Sequence, residues 1–152
     1  MPLMIAIANR QRRLPVSAKR LRRVAETILN ASGYPDSELS VVIVGNRTIR
    51  RLNRDYLGRD KPTNVISFPL QEGDFTGVNP RALGDVVISA DTAASEAEGG
   101  GVTFENRLTF LLLHGILHLT GYDHERSGAA EARRMEAKER ELFALLESEG
   151  LV

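Results

Sequence analysis

The three histidines of the chain all lie within residues 114–124, and this clustering restricts the fold more than any other feature of the sequence. The segment reads His-Gly-Ile-Leu-His-Leu-Thr-Gly-Tyr-Asp-His. Apolar residues at three- and four-residue spacing run into it and through it, which predicts a largely buried helix. These residues are Phe104, Leu108, Leu111, Leu112, Ile116 and Leu119. Because His114 and His118 are four positions apart, such a helix places both imidazoles on one side, one turn apart.

Gly121 is predicted to end this helix, because glycine adopts the left-handed conformation of a C-terminal cap without steric cost. The chain can then turn and bring back His124 as a third ligand. Three neutral imidazoles and an open fourth position are typical of a catalytic zinc site, whereas a structural site is closed by four protein ligands. We therefore expect one zinc ion per chain, held by His114, His118 and His124. Hydrogen-bonded core histidines are the less favoured alternative.

The histidine spacing matches the pattern His-Glu-x-x-His-x-x-Gly-x-x-His of metzincin proteases at every position but one. Gly115 stands where those enzymes have the glutamate that activates water. The helix is therefore metzincin-like in its ligands, but the missing carboxylate argues against an ordinary metalloprotease.

Composition predicts a single domain covering residues 1–152, since 152 residues with 42% hydrophobic content can bury one sizeable core. The net charge is zero, yet residues 1–62 hold 13 Lys/Arg against 5 Asp/Glu, and residues 63–152 hold 7 against 15. The basic first part favours a polyanionic partner. With no cysteine and no apolar run long enough to cross a bilayer, we expect a soluble cytoplasmic protein without a membrane partner.

Hydrophobic periodicity predicts the order β-α-β-α-β-β-α-α-α. The expected strands cover residues 3–8, 39–44, 63–68 and 83–89, with the second central and the third at an edge because Pro69 cannot donate to a ladder. The expected helices cover residues 17–32, 46–57, the stretch from 89 or 91 to 98, the histidine helix capped by Thr103, and residues 129–149. This order corresponds to an α+β fold: one roughly four-stranded mixed sheet covered by helices.

The second predicted helix has a basic outer surface. Its spacing places Ile49, Leu52 and Tyr56 inward. The residues expected outward, together with those of the turn that follows, are Arg47, Arg50, Arg51, Arg54, Arg59 and Lys61.

Three segments in fixed order resemble the YbeY family of bacterial metal-dependent endoribonucleases, which act in rRNA maturation and ribosome quality control. They are Pro-Thr-Asn-Val-Ile-Ser-Phe-Pro at residues 62–69, Leu-Gly-Asp-Val-Val-Ile-Ser at 83–89, and the histidine segment at 114–124. The resemblance is strong over residues 52–124 and looser elsewhere. It implies zinc on His114, His118 and His124. The implied substrate is single-stranded RNA, notably the ends of the small-subunit rRNA precursor, and the implied partner is the ribosome or its small subunit.

Under this resemblance His114 and Asp85 are the candidate catalytic residues. Gly115 provides no base, which leaves Asp85 and, second, Asp123. Asp85 could instead orient a histidine, Asp123 could cap a turn, and an acidified zinc water could need no protein base.

The six basic residues from Arg47 to Lys61 are expected to hold the RNA backbone. The family often has an arginine directly after the tyrosine of its Leu-Asn-x-x-Tyr segment. Leu57 occupies that position here, so Arg59 and Lys61 are the candidates to replace it.

Two other classes of function stay open. A metzincin-like metalloprotease would bind peptide along the edge formed by residues 63–68. A non-catalytic ribosome-assembly factor would keep zinc for structure alone.

Overall fold

A computed structural model of the chain describes residues 3–70, 81–122 and 124–152, with only the backbone for residues 124–127. Four strands and five helices lie within these ranges, in the predicted order. The strands are β1 (Met4–Asn9), β2 (Glu38–Val44), β3 (Val65–Pro69) and β4 (Ala82–Ser89). The helices are α1 (Ala18–Ala31), α2 (Asn46–Leu57), α3 (Ala90–Gly100), α4 (Phe104–Leu119) and α5 (His124–Ser148).

The four strands form one mixed sheet in the order β1-β2-β4-β3. The pairs β1/β2 and β2/β4 are parallel, and β3 runs antiparallel to β4 at the edge. The continuous apolar run of β2 suits a strand that is covered on both faces. The predicted α+β fold, the central position of β2 and the edge position of β3 are confirmed.

Helices cover both faces of the sheet. We call one the α4 face; it presents Val41, Ile43, Val86 and Ile88 to the core shared with α1, α4 and α5. The other is the α2 face, where a smaller core joins Ile49 of α2 to strand residues. Those strand residues are Val44, Ile66 and Val87.

The helix ends follow local capping rules. Ser17 accepts a hydrogen bond from the Arg20 amide at 3.1 Å, and Thr103 accepts one from the Asn106 amide at 3.0 Å. Gly121 has a φ of +109°, and the next amide, that of Tyr122, donates to the Leu117 carbonyl at 3.0 Å. The predicted end of the histidine helix is therefore confirmed.

Helix α2 is capped by a side chain from another element. It begins after Gly45, which has no side chain, and the Asp91 carboxylate of α3 accepts from the Asn46 amide at 2.8 Å. Ser89, not Asp91, caps α3 by accepting from the Thr92 amide. Asp91 thus joins the start of α2 to α3.

One predicted detail is wrong. Tyr56 is 69% exposed instead of inward, because it lies in the last turn of α2, where its ring makes a T-shaped contact with Phe68 of β3. The predicted last helix, residues 129–149, corresponds to the part of α5 beyond a non-helical break at Gly128, which separates it from a short first segment that begins at His124. The long loop predicted after Pro69 falls mostly on residues 71–80, outside the described residues.

In the described ranges, every helix is too short or too polar to cross a membrane.

Replacing Asp91 with alanine should lower the free energy of unfolding by about 1 kcal/mol, because the Asn46 amide loses its acceptor. Arg13→Ala is the matched control, since Arg13 donates to the same carboxylate at 3.0 Å but its side chain is 78% exposed. Urea unfolding followed by circular dichroism measures both variants. Equal losses of stability in the two variants would show that the bond from the Asn46 amide to the Asp91 carboxylate does not stabilise the protein.

Candidate metal centre

The position of α4 is determined by a close contact at Gly115. A Cβ atom at this residue would lie 2.6 Å from Cγ1 of Val86 and 3.2 Å from Cγ2 of Val65. The Gly115 carbonyl also accepts a hydrogen bond from the Ser67 hydroxyl of β3 at 2.8 Å. The helix backbone therefore lies directly on β3 and β4, and the residue that follows the first histidine faces the sheet.

This contact determines the direction of the two histidines. Thr109 marks the flank of α4 that faces α1, where it accepts from Arg20 at 2.6 Å. His114 and His118 project from the opposite flank, toward the β3 edge of the sheet. The His114 side chain is 24% exposed, so molecules in solvent can reach it.

The two imidazoles are placed to share an ion. Their Nε2 atoms lie 3.1 Å apart, and the ring centroids are 4.7 Å apart at an interplanar angle of 73°. Two nitrogens bound to one tetrahedral zinc at 2.0–2.1 Å would be separated by about 3.3 Å. The pair therefore fits two adjacent positions of a zinc coordination sphere.

The third predicted ligand is not tested by the structure. His124 begins α5, and its side chain is outside the described residues, as is the whole of Asp123. Among the side chains that are described, no group of three potential ligands comes together. The role of His124 stays a prediction.

A carboxylate that no sequence pattern predicted contacts the first of the two histidines. Oε2 of Glu139, on α5, lies 3.0 Å from Nδ1 of His114. Glu139 is only 7% exposed. It interrupts the row of buried apolar residues on α5, which consists of Met135, Leu142 and Leu146. A glutamate in such a row is the signal that could have identified it.

The other side of the His114 ring is bounded by an aromatic side chain. The Phe110 ring lies 6.1 Å from the imidazole at an interplanar angle of 28°. Phe110 in turn contacts Phe143 of α5 and the guanidinium of Arg107. The His114 ring therefore has neighbours on both α4 and α5, while part of it stays open to solvent.

Asp85 is not brought to the histidines. It pairs in register with Ser40 and Phe68, and it alternates along β4 with Val86, which lies beneath Gly115. Its side chain consequently belongs to the α2 face, with the sheet between it and His114. Its role as general base stays a prediction that its position does not support.

The predicted basic surface is present, and all six of its residues are exposed. Two of them are paired: Arg50 donates to Asp60 at 2.9 Å, and Arg54 donates to Asp55 at 3.0 Å. The hydrogen bond from Arg50 lowers the pKa of the Asp60 carboxyl. Across the described part of the chain, no ion pair involves the other four, which are Arg47, Arg51, Arg59 and Lys61.

The basic surface and the histidines lie on opposite faces of the sheet, but both adjoin the edge strand. Tyr56 of α2 contacts Phe68, with ring centroids 5.5 Å apart. Gly115 of α4 contacts the neighbouring Ser67. A flexible ligand that crosses β3 at these two residues could therefore contact both.

Comparison with known proteins shows similarity along nearly the whole chain. The family model described as Endoribonuclease YbeY matches residues 6–147. The Endoribonuclease YbeY of Geobacter metallireducens is 73% identical over 148 residues, which covers 97% of this chain and 99% of that protein. The protein of the same name from Geobacter sulfurreducens is 72% identical over the same shares. The solution structure of TM1509 from Thermotoga maritima has a TM-score of 0.62 at 26% identity, covering 97% of this chain and 95% of that one.

Replacing Gly115 with alanine should lower the free energy of unfolding by about 1–3 kcal/mol, because the added Cβ overpacks the contact with Val86. This cost opposes the higher helix propensity of alanine. Gly99→Ala in α3 is the matched control: nothing lies within 4 Å of its Cβ position, and we expect no loss of stability. Chemical denaturation compares the two. A Gly115→Ala protein as stable as wild type would show that α4 does not need this close approach.

Proposed function

Because the chain belongs to the Endoribonuclease YbeY family, we propose that it is a zinc-dependent endoribonuclease that cleaves single-stranded RNA. The observation that most supports the metal dependence is the 3.1 Å separation of the Nε2 atoms of His114 and His118 on a solvent-accessible flank of α4. The proposed substrate is the small-subunit rRNA precursor, cleaved near its ends. The proposed partner is the ribosome or its small subunit in the cytoplasm. We further propose that the protein acts in ribosome quality control.

The proposed zinc site uses Nε2 of His114 and His118, with His124 as the third ligand. When bound, zinc would supply a water whose pKa is lowered far below that of bulk water, to about 7, and a positive charge for the phosphoryl oxygens. Gly115 has no carboxylate and faces the sheet, and Asp85 lies on the α2 face. We therefore assign no general base among the described residues.

The proposed RNA path begins on the outer surface of α2 and crosses the β3 edge to the histidines. Exposed cations on α2 and the following turn would neutralise backbone phosphates, so affinity should fall with salt. Since the path bends around the edge of a sheet, it suits a flexible single strand better than a stiff duplex.

The metalloprotease alternative is less consistent with the geometry. A protease of the metzincin type needs a carboxylate directly after the first histidine. A glutamate at position 115 would have its Cβ 2.6 Å from Cγ1 of Val86, so either the helix or the Val86 side chain would have to shift to admit it. No described contact favours a purely structural role for the metal.

Replacing His118 with alanine should lower bound zinc and abolish RNA cleavage together, because one of two adjacent ligands is lost. His114→Ala should do the same. Metal analysis and cleavage of a defined single-stranded RNA measure the two effects. Glu105→Gln, at the start of the same helix, is the control and should match wild type. Full cleavage by a preparation shown to contain no zinc would refute the metal dependence.

Reversing the charge of Arg50, Arg51 and Arg59 to glutamate should weaken RNA binding and leave zinc content unchanged. Each lost phosphate contact should reduce the slope of log affinity against log salt concentration by about 0.7. The slope of the triple variant should therefore be smaller than that of wild type by up to about 2. Fluorescence anisotropy with a labelled single strand across a salt series measures the slope. Arg133→Glu, an exposed change on α5, is the control. An unchanged slope would exclude this surface from the RNA path.

A further inference from the structure

We propose that Glu139 is a positioning residue that holds the His114 imidazole in the tautomer and orientation needed to present Nε2 to a metal. The inference rests on the proposed function only where zinc is concerned. The contact between the two side chains is itself an observation of the structure.

The proposal assigns a tautomer to His114 from the contacting atoms. Oε2 of Glu139 lies 3.0 Å from Nδ1 of His114, and in the proposed arrangement Nδ1–H donates to this carboxylate oxygen. A neutral imidazole has one proton, which leaves the lone pair on Nε2. Nε2 is the atom that lies 3.1 Å from the other imidazole.

The surroundings of Glu139 limit the freedom of this pair. With 7% exposure, the carboxylate cannot swing into solvent without leaving the core. The Phe110 ring lies 6.1 Å from the imidazole, at an interplanar angle of 28°. The imidazole therefore has a buried hydrogen-bond partner and an aromatic neighbour.

Packing does not explain a glutamate at this position. Its neighbours in the buried row of α5 are Met135 and Leu142, and burying a carboxylate in place of an apolar side chain costs free energy. Leucine would extend the row without that cost. The carboxylate is explained by its contact with His114. When a carboxylate binds the ring nitrogen of a ligand histidine that does not face the metal, removing it typically lowers metal affinity 10- to 100-fold.

The test compares three variants of the full chain. Glu139→Leu removes the acceptor while preserving an apolar row, and Glu139→Gln removes the charge while keeping an oxygen that can accept from Nδ1. Glu136→Leu is the matched control, because Glu136 is an exposed glutamate on the same helix. Zinc affinity is measured by competition with a chromophoric chelator, stability by urea unfolding of the zinc-free protein, and the His114 tautomer by nitrogen-15 NMR of the zinc-free protein.

We expect Glu139→Leu to lower zinc affinity about 10- to 100-fold without lowering the unfolding midpoint, and to remove the preference of His114 for a proton on Nδ1. Glu139→Gln should recover part of the affinity, and Glu136→Leu should match wild type. Wild-type zinc affinity and an unchanged His114 tautomer in Glu139→Leu would overturn the proposal. So would a loss of affinity that only follows a loss of stability.

The NMR measurement separates this proposal from the proposed function. If wild type binds no zinc but shows the Nδ1 proton, and Glu139→Leu loses it, the metal-dependent function fails while the positioning contact stands. If wild type binds zinc and cleaves RNA while its His114 shows no preference for Nδ1, only the positioning proposal fails.

Discussion

The contact between the backbone of α4 and the sheet at Gly115 determines where the histidines stand. With Val86 and Val65 directly beneath this residue, the helix can neither rise from the sheet nor rotate without losing its hydrogen bond to Ser67. Both imidazoles then project from one flank, and α5 packs close enough for Glu139 to reach the nearer ring. The geometry of the candidate metal centre is thus a consequence of helix-on-sheet packing.

The edge strand β3 connects the two faces of the sheet. Successive side chains of a strand point to opposite faces, so Ser67 contacts α4 while Phe68 contacts Tyr56 of α2. The histidines and the basic surface are therefore separated by the thickness of one strand at the sheet edge. An interior strand could not connect the two faces in this way, because the strands on both sides of it would block a ligand from passing from one face to the other.

Local signals predicted most of the fold. The order of elements, the cap at Ser17 and the end of α4 at Gly121 follow from hydrophobic spacing and from residues within one turn. The prediction that Tyr56 points inward was wrong. Helical spacing predicts which flank of a helix is buried, but it does not predict how far along the helix the sheet covers that flank.

The candidate site was predictable only in part. The helix and its spacing place His114 beside His118, and the structure brings their Nε2 atoms together. Asp85 could not be assigned to a face, because alternation along β4 does not tell which helix covers which side. Glu139 lies 25 residues from His114, and no local pattern reports a contact over that separation. Only its place in an apolar row marks it as unusual.

Helix α5 follows the other described elements along the chain, so Glu139 is contributed by a separate helix from the one that carries His114 and His118. Undocking of α5 would leave both imidazoles on α4 but would remove the carboxylate beside Nδ1 of His114. The integrity of the candidate centre therefore depends on how firmly the C-terminal helix packs against α4.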